Sequence, residues 1–447
     1  MQTRSVRKLP VPFITTSVPT DIVLFFALLP IWVITGLTPF LGPALMVFLV
    51  FKLMFLYARQ KREVTVPFSV FSAMLAFLLF SLVSGLHIQN EPWVYLFIRN
   101  LAVYTGALCL FLVVVNIAQS RPDLLKILRG LDLMVFLACL VGLAAILGLI
   151  PIRPGLPAPV SYILPERVRD SEYLSKMMVP SFGDYIKLEL FGLRVKRIHS
   201  VFPYANLFAA ALIIVLPFQL FLLNLSKGRR RTLGRLNIGL VFVNLFFTYS
   251  RGAVLALLFG LLYFGYLRVK KFLGFLQRPA VVLSTVLLIL IFLFVLIEPV
   301  LESKSTSTSV RMLIYEKTFE SWKESPIFGW GTPRNIIIKG EASEKLPPLG
   351  SHSQFLAVLY RYGLVGFILY CTILGLVFRE VRRISRLARN DDWLGKLGFY
   401  AGWAFFLNFV HSIFIVMDFD IIVLYLMWMN WGIIVAVRTM LEKTPPA

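Results

Sequence analysis

The sequence is poor in the residues that would support a soluble, disulfide-bonded or metal-binding protein. It has three cysteines and four histidines in 447 residues, and only 15% of its residues are charged, whereas soluble domains carry about a quarter. Cys109, Cys139 and Cys371 each fall inside an apolar run, so we interpret them as small buried hydrophobic residues. The composition excludes an ordinary soluble globular domain, and it predicts no metal site and no cofactor.

Acidic residues are also scarce, with 23 Asp and Glu against 45 Lys and Arg and a net charge of +22. Such a charge can indicate a nucleic-acid partner, but its distribution favours a different explanation. If the N-terminus lies in the cytoplasm, every short loop assigned to the inside is basic, and the short outer turns near 37, 90 and 418 carry no Lys or Arg. This is the positive-inside pattern of a membrane protein. We therefore expect a lipid bilayer as the partner, no nucleic acid, and both termini in the cytoplasm.

Long apolar runs are what the sequence has in abundance. The hydrophobic fraction is 58% and the mean hydropathy is +0.80, and runs of roughly 20 residues recur, each long enough to cross the ~30 Å hydrocarbon core as a helix. The predicted fold class is an all-α polytopic membrane protein of about twelve transmembrane helices, with a large extracytoplasmic loop domain that contains short interfacial helices. The predicted spans are 20–36, 39–57, 66–86, 93–117, 131–151, 201–223, 237–249, 253–267, 279–297, 355–377, 394–416 and 419–437.

The spans 237–249 and 253–267 are short and are joined by Ser250-Arg251-Gly252. One continuous kinked span is the alternative, but it would place the basic segment 379–396 outside the cell. The charge pattern therefore favours two spans with a tight turn between them.

These boundaries divide the chain into alternating membrane and loop regions. The predicted regions are a cytoplasmic N-terminus (1–19), helices one to five (20–151), a first extracytoplasmic loop (152–200), helices six to nine with the Ser-Arg-Gly turn (201–297), a large extracytoplasmic loop (298–354), helices ten to twelve (355–437) and a cytoplasmic C-terminus (438–447). Within the large loop, Ser309 to Glu324 is predicted to form a helix, with Ser309 as N-cap and Pro326 just past its end.

Three arginines lie at the predicted outer edge of the membrane: Arg197, Arg251 and Arg311. An arginine at the hydrocarbon edge is costly unless an anion requires it. Its planar guanidinium suits bidentate phosphate recognition, so the three predict a site for a lipid diphosphate headgroup. The alternative is that they extend to the interface and contact ordinary phospholipid headgroups.

His352 lies on the same predicted face, at the start of a span. A neutral imidazole there can accept a proton from an attacking sugar hydroxyl. The alternative is a capping or interfacial hydrogen bond. Asp418 and Asp420 could form a second acid–base element, but a solvated turn is the expectation for them. The outer loops show no chelating spacing of histidines or carboxylates.

Several motifs together resemble those of the O-antigen ligase and polymerase superfamily, which includes bacterial protein O-oligosaccharyltransferases. Thr248-Tyr249-Ser250-Arg251-Gly252-Ala253 is similar to its Ser-Arg-Gly signature, and the segment from Arg197 to Asn206 is similar to its Arg-x-x-Gly-x-Phe-x-x-Pro-Asn segment. The stretch from Arg311 through Tyr315 and Pro326-Ile-Phe-Gly329-Trp-Gly331 to Ser351-His352-Ser353 resembles its large-loop and histidine region. Ser200 stands where glycine is usual, and Ser353 stands where asparagine often follows the histidine.

The resemblance, which covers roughly residues 190–370, implies a reaction as well as a fold. A glycan on an undecaprenyl diphosphate carrier is transferred to an acceptor hydroxyl, with inversion and without a metal, at the outer face of the bacterial inner membrane. By this resemblance Arg197 and Arg251 hold the diphosphate and stabilise the leaving charge, and His352 is the general base. Arg311 and Tyr315 orient the donor, and Arg361 is a weaker candidate for the same anion site.

The acceptor stays open at this point. It is a growing polysaccharide for a polymerase, a lipid A core sugar for a ligase, and a serine or threonine for a protein O-oligosaccharyltransferase. A chain-length regulator is a further partner for the first of these. A transporter or flippase for lipid or sugar is the rival of another class, but it predicts charges at the bilayer midplane. A peptidoglycan glycosyltransferase is a second rival, for which an outer-loop aspartate is expected.

Overall fold

The computed structural model describes residues 17–86, 88, 91–165, 178–188, 193–267, 306–334 and 348–444. Within these ranges the chain forms thirteen α-helices, two short 3-10 helices (Pro159–Tyr162 and Met417–Phe419) and one β-hairpin. The helices are α1 (Ser17–Ala27), α2 (Leu29–Thr35), α3 (Thr38–Arg59), α4 (Phe68–Gly85), α5 (Glu91–Ile117), α6 (Arg121–Ile146), α7 (Ala205–Leu225), α8 (Gly228–Phe247), α9 (Arg251–Leu267), α10 (Thr306–Trp322), α11 (Gln354–Leu387), α12 (Asp392–Ser412) and α13 (Ile421–Lys443).

Seven of these helices are long and apolar enough to cross a membrane: α3, α4, α5, α6, α7, α11 and α13. The pair α1 and α2, bent by 57°, brings the number to eight if it counts as one broken span. The chain is therefore a multi-pass helical membrane protein. Helices α8, α9 and α12 occupy the positions of predicted spans without being among the seven, and the predicted span 279–297 lies outside the described residues. The count of twelve stays a prediction.

Helix α13 lies at the centre of the bundle and packs against α3, α5, α7, α11 and α12. It is apolar on all sides, as a fully surrounded helix must be, and both Trp428 and Trp431 are completely buried. Close approach depends on small residues, because a Cβ atom added at Gly106 would lie 2.1 Å from the Tyr425 hydroxyl. The first turn of α13 is capped by Asp420, whose Oδ1 accepts a hydrogen bond from the Val423 amide at 2.9 Å.

The connections between helices gather at two opposite ends of the bundle. At one end Arg99 of α5 donates to the Phe419 carbonyl at 2.8 Å, and the Met417 amide donates to Gln354 Oε1 at 2.7 Å. At the other end the connections after α3, α5 and α11 meet, as in the ion pair between Arg121 and Asp391. Those basic segments that fall within the described residues (59–62, 121–129, 227–235, 379–396 and 438–443) lie at this second end. The first end, which carries the α2–α3, α6–α7, α8–α9 and α12–α13 connections, is called the outer end below.

Helices α8 and α9 are two separate helices that reverse at the Ser-Arg-Gly turn. Helix α8 runs alongside α6 in the same direction, since Asn237 donates to Asp132 (2.6 Å) and Asn244 donates to the Cys139 carbonyl (3.1 Å). Helix α9 runs antiparallel to α12, with Gly252 beside its last turn and Gly260 beside its middle. The described residues thus form two helices with a reversal between them and no continuous kinked helix, and that each of the two crosses the membrane stays a prediction.

The first outer loop contains an antiparallel β-hairpin, β1 (Gly183–Leu188) and β2 (Leu193–Ile198). The all-α prediction missed it. The alternation of apolar and polar residues from Leu193 to Lys196 is the available signal, but a run of this length is too short to distinguish a strand from a loop. Strand β2 contacts α6 and α8, and Lys196 donates to the Ala145 and Ile146 carbonyls at the end of α6 (3.2 and 3.1 Å).

Helix α10 begins at Thr306, so the predicted N-cap Ser309 lies inside the helix, whereas Pro326 does lie past its end. The helix packs against α11 with Ile314 and Thr318 fully buried. Thr318 Oγ1 accepts a hydrogen bond from the Gly350 amide at 2.9 Å. These contacts tie α10 to the turn before α11.

Helix α11 is interrupted at Gly363, which has φ 61° and ψ −166°, a conformation essentially restricted to glycine. The interruption frees carbonyl groups that the segment 326–331 uses. Trp330 donates to the Tyr360 carbonyl at 3.0 Å and Gly331 donates to the Arg361 carbonyl at 2.6 Å, while the Leu364 amide donates back to Pro326. The loop after α10 is thereby joined to the broken helix by main-chain bonds.

We expect Gly363→Ala to be strongly destabilising, because the added Cβ would lie 2.2 Å from the Ile327 carbonyl oxygen in a conformation that alanine avoids. Gly375→Ala on the same helix is the matched control, since nothing lies within 4 Å of its added Cβ. Thermal unfolding in detergent should show a loss of at least about 2 kcal/mol for the first variant and a change of less than about 1 kcal/mol, in the stabilising direction, for the second. Equal stability of the two variants would contradict the strained conformation.

Candidate active site

Arg197, near the end of β2, joins three segments at the outer end of the bundle. Its Nε donates to the Thr248 carbonyl at the end of α8 (3.0 Å), and its Nη2 donates to Asn206 Oδ1 at the start of α7 (2.8 Å). Both bonds use the fixed geometry of the guanidinium, so the position of the charge is set by α7, α8 and the hairpin together.

Arg251 is the first residue of α9, directly after the reversal from α8. The unusual backbone in this turn is at Tyr249, with φ 49°, and not at Gly252. Gly252 serves close packing instead, because a Cβ there would lie 2.9 Å from Phe414 Cβ and 3.1 Å from His411 Nδ1. The Ser-Arg-Gly signature thus combines a reversal, a cation at a helix start and a small residue against α12.

Arg311, Tyr315 and His352 come together where α10 packs over the turn before α11. The Tyr315 hydroxyl donates to the His352 main-chain carbonyl at 3.3 Å, and Arg311 lies one turn earlier on the same helix. His352 does not cap α11, because the cap is Ser353, whose side chain accepts from the Leu356 amide. The capping role that was the alternative for His352 from the sequence is therefore wrong.

Electrostatic interactions connect these residues into one cluster, which we call the arginine cluster: Arg197, Arg251, Arg311, Tyr315 and His352. Burial lowers the pKa of Arg197, and repulsion from Arg311 and Arg251 lowers it further. The carboxylate of Asp184 acts in the other direction and raises this pKa. Burial also lowers the pKa of Arg311. Tyr315 acts to raise this pKa, and repulsion from Arg251 lowers it further. The three guanidinium groups repel one another in a partly desolvated setting. An anion placed among them would relieve that repulsion.

Burial and then repulsion from Arg311 lower the pKa of His352 from its ordinary 6.5 to about 4. The imidazole is consequently neutral at physiological pH and has a free lone pair. Burial raises the pKa of Tyr315, against the influence of Arg311, so its hydroxyl keeps its proton.

Left-handed backbone marks the borders of this cluster. Among the described residues, four residues other than glycine have positive φ, and three of them are Ser200 (52°), Tyr249 (49°) and His352 (70°). Such conformations are costly and concentrate at functional sites. The positive φ at Ser200 explains why glycine suits this position. Ser200 has this backbone conformation while its hydroxyl donates to the Ala138 carbonyl at 2.6 Å.

Arg361 is placed differently from the other predicted donor-binding residues. Its guanidinium is 3% exposed and forms an ion pair with Asp418 at 2.8 Å, and Tyr104 donates to the same carboxylate oxygen at 2.6 Å. This buried ion pair links α5, α11 and the turn before α13. The structure therefore assigns the Arg361 charge to Asp418 and does not bring it into the arginine cluster.

The expected solvated turn at Asp418 and Asp420 is wrong, because both residues are almost fully buried. Burial alone would raise the pKa of Asp418, but Arg361, Tyr104 and Arg99 outweigh it and hold the value below the usual range. Burial raises the pKa of Asp420 to about 6, against the bond from the Val423 amide. The turn folds back over α5 and α11, which a local sequence pattern does not reveal.

Two residues near the arginine cluster escaped the sequence interpretation. Asp184 lies opposite Arg197 in the hairpin register and is the one carboxylate among the groups that act on it. His411 of α12 lies against Gly252, and its Nε2 is 3.2 Å from the Asn206 carbonyl. No spacing along the chain signals either contact. Among the described residues there is no group of three or more His, Cys, Asp or Glu that could hold a metal ion.

The O-antigen ligase family matches residues 236–371, a region that runs from α8 into α11 and includes Arg251, Arg311, Tyr315 and His352. This match confirms the resemblance to the O-antigen ligase and polymerase superfamily, and it implies membrane glycosyltransferase activity of that type. No curated protein matches the chain.

The neutral state of His352 is testable by NMR titration of histidine-labelled protein, with His352→Asn to assign the signal. We expect a pKa near 4, and we expect Arg311→Met to raise it because the repulsive charge is removed while burial remains. Lys323→Met, an exposed cation on the same side of the bundle, is the control and should leave the value unchanged. A wild-type pKa at or above 6.5, or no rise in Arg311→Met, would contradict the electrostatic account.

The buried ion pair is testable by a double-mutant cycle on the free energy of unfolding in mixed micelles. Asp418→Asn leaves a buried guanidinium without its counter-charge and should cost about 3–5 kcal/mol, and combining it with Arg361→Met should cost less than the sum of the two. Asp392→Asn, in an exposed pair with Lys396, should change stability by less than about 1 kcal/mol. Additive effects of Asp418→Asn and Arg361→Met would show that the pair is not coupled.

Proposed function

We propose that this chain transfers a glycan from an undecaprenyl diphosphate carrier to an acceptor hydroxyl, as an O-antigen ligase or polysaccharide polymerase without a metal cofactor. The observation that carries the proposal is the arginine cluster, in which three guanidinium groups repel one another and one of them, Arg311, also acts on a neutral histidine. The family match over residues 236–371 supports the same reaction class.

The diphosphate of the donor binds among Arg197, Arg251 and Arg311. Arg197 is held by Thr248 and Asn206, so its charge is in place before the substrate arrives. As the bond between the anomeric carbon and the phosphate oxygen breaks, negative charge grows on the leaving diphosphate. Fixed positive groups in a partly buried site stabilise that charge more than water would. The binding energy and the catalytic effect then come from the same side chains.

His352 accepts the proton of the acceptor hydroxyl as that oxygen attacks the anomeric carbon. The new carbon–oxygen bond forms as the bond to the diphosphate breaks, and the diphosphate departs with the electron pair, so one displacement inverts the anomeric configuration. A pKa of about 4 makes the free imidazole a weak base. The donor's negative charge offsets the repulsion by Arg311 and raises this pKa, so the base becomes stronger when the donor is bound.

Tyr315 acts as a positioning residue through its bond to the His352 carbonyl. Arg361 acts with Asp418 in holding the outer ends of α11 and α13 together, instead of contacting the diphosphate. The cluster lies at the outer end of the bundle, opposite the basic segments, which supports a site at the extracytoplasmic face of a bacterial inner membrane with both termini in the cytoplasm. The acceptor is a lipid A core sugar or a growing polysaccharide, and a chain-length regulator is a partner in the second case.

The test is a transfer assay with carrier-linked glycan and acceptor isolated from the native cells, using purified variants in nanodiscs. Arg251→Ala should lower kcat/KM by about 10²–10³ through loss of charge stabilisation, and His352→Ala by about 10²–10⁴ through loss of the base. Arg197→Lys should fail to restore activity, because lysine cannot make the two bonds to Thr248 and Asn206. Arg334→Ala is the matched control, since this outer guanidinium stacks on Trp330 at 3.8 Å and should be dispensable for transfer.

The outcomes separate the parts of the proposal. Activity that survives His352→Ala removes the general-base role and leaves the anion site standing. Wild-type protein that modifies no acceptor hydroxyl, of core sugar, polysaccharide or protein, defeats the transferase assignment.

A further inference from the structure

A cavity of about 440 Å³ lies beside the β-hairpin that carries Arg197, with Asp184 of β1 in its wall. It is enclosed by the α2–α3 turn, the first outer loop, the segment 199–204 and the start of α13. Its volume lies within the range of about 300–1,000 Å³ that is usual for small-molecule sites. None of the residues of the arginine cluster lines it, so it is a separate compartment.

Thr38 supplies an unused hydroxyl in the cavity wall. The residue is 7% exposed and lines the cavity, and its Oγ1 has no hydrogen-bond partner among the described residues. A buried hydroxyl without a partner is unfavourable unless a ligand or water completes it. It therefore points to a ligand that carries hydrogen-bonding groups.

Further polar groups line the same cavity, among them Ser181, His199 and Asp420. His199 Nδ1 lies 2.5 Å from the Phe202 carbonyl, which requires the proton on Nδ1, so Nε2 accepts from the Ser181 hydroxyl at 3.3 Å. Asp420 uses one oxygen to cap α13. The wall thus offers hydroxyl, imidazole and carboxylate groups that are already oriented by the protein.

The charge of the lining disfavours an anionic ligand. Asp184 and Asp420 are carboxylates, and the cation Arg153 is paired with Asp184. The remaining wall includes Phe202, Pro203 and Tyr204, whose rings suit the C–H faces of a sugar. Carboxylates for hydroxyl groups and rings for C–H faces are the features that an uncharged saccharide requires.

The cavity is adjacent to the proposed reaction centre through Arg197. Asp184 in the cavity wall faces Arg197 in the hairpin register and acts on its charge, and Arg251 and Arg311 act on it as well. A ligand in the cavity would therefore lie next to the residue that holds the diphosphate.

We propose that this cavity is a saccharide subsite, which binds an uncharged sugar ring of the donor glycan or of the acceptor glycan through Thr38, Asp420 and the Ser181–His199 pair. This inference rests on the proposed function, because it assigns the sugar-binding part of the same site.

The experiment measures KM for donor and for acceptor separately in Thr38→Val and Asp420→Asn. Valine keeps the shape of threonine and removes an unpartnered hydroxyl, and asparagine keeps the helix cap, so thermal stability in detergent should not fall. Loss of a hydrogen bond to the sugar should raise one KM by between about twofold and tenfold with little change in kcat. The matched control is Thr35→Val, whose hydroxyl bonds to the Ile31 carbonyl within α2 and lies outside the cavity.

The result identifies the source of the sugar. A rise confined to the acceptor KM assigns the subsite to the acceptor, and a rise confined to the donor KM assigns it to the donor glycan. Farnesyl diphosphate, a donor mimic without sugar, should inhibit wild type and both variants equally.

Weaker inhibition of the variants by farnesyl diphosphate would show that these groups contact the sugar-free part of the donor and would overturn the inference, as would unchanged KM values in both variants. Those results leave the proposed transfer reaction intact, since they require an active wild type. An inactive wild type is the failure of the proposed function itself.

Discussion

Arg197 holds together parts of the chain that would otherwise only approach one another. Its guanidinium bonds to the end of α8 and the start of α7, and its strand pairs with β1. A guanidinium is the side chain suited to this task, because it keeps its charge when buried and presents its donors in a fixed plane. The arrangement brings the positive charges of Arg197, Arg251 and Arg311 together, and an anionic ligand would neutralise them. The position of the arginine cluster relative to α7, α8 and the hairpin depends on that one side chain.

The same concentration of charge determines the state of the histidine. A buried imidazole beside a guanidinium loses its proton readily. His352 is therefore neutral and able to accept a proton, but its low pKa makes it a weak base in the absence of an anion. An anionic donor changes the local potential and with it the basicity of the ring. In the proposed reaction, the basicity of His352 therefore depends on whether the diphosphate position is occupied.

The sequence revealed the residues of the arginine cluster because each is a charged or titratable group at the edge of an apolar run, where ordinary packing does not explain it. The reversal at Ser250 followed from the charges of distant loops. What it did not reveal depends on contacts between remote segments. Asp418 was expected in solvent because its partner Arg361 is 57 residues away, and Thr38 attracts no notice until four segments close around it. The strands of the β-hairpin are too short to give a clear pattern in the sequence. The left-handed backbone at Tyr249 and His352 is imposed by tertiary contacts, and the preferences of these residue types do not predict it.

The central position of α13 has a consequence for biosynthesis. This helix is surrounded by α3, α5, α7, α11 and α12, yet it follows all of them in the chain. Helices that enter the bilayer one after another must therefore wait in a loose ring, with lipid or a chaperone filling the axis, until α13 arrives. The turn before α13 brings Asp418 and Asp420 with it, so the buried ion pair and the floor of the cavity form in that last step. A nascent chain stalled after α12 would carry all three guanidinium groups of the arginine cluster, but neither the ion pair between Arg361 and Asp418 nor the Asp420 wall of the cavity.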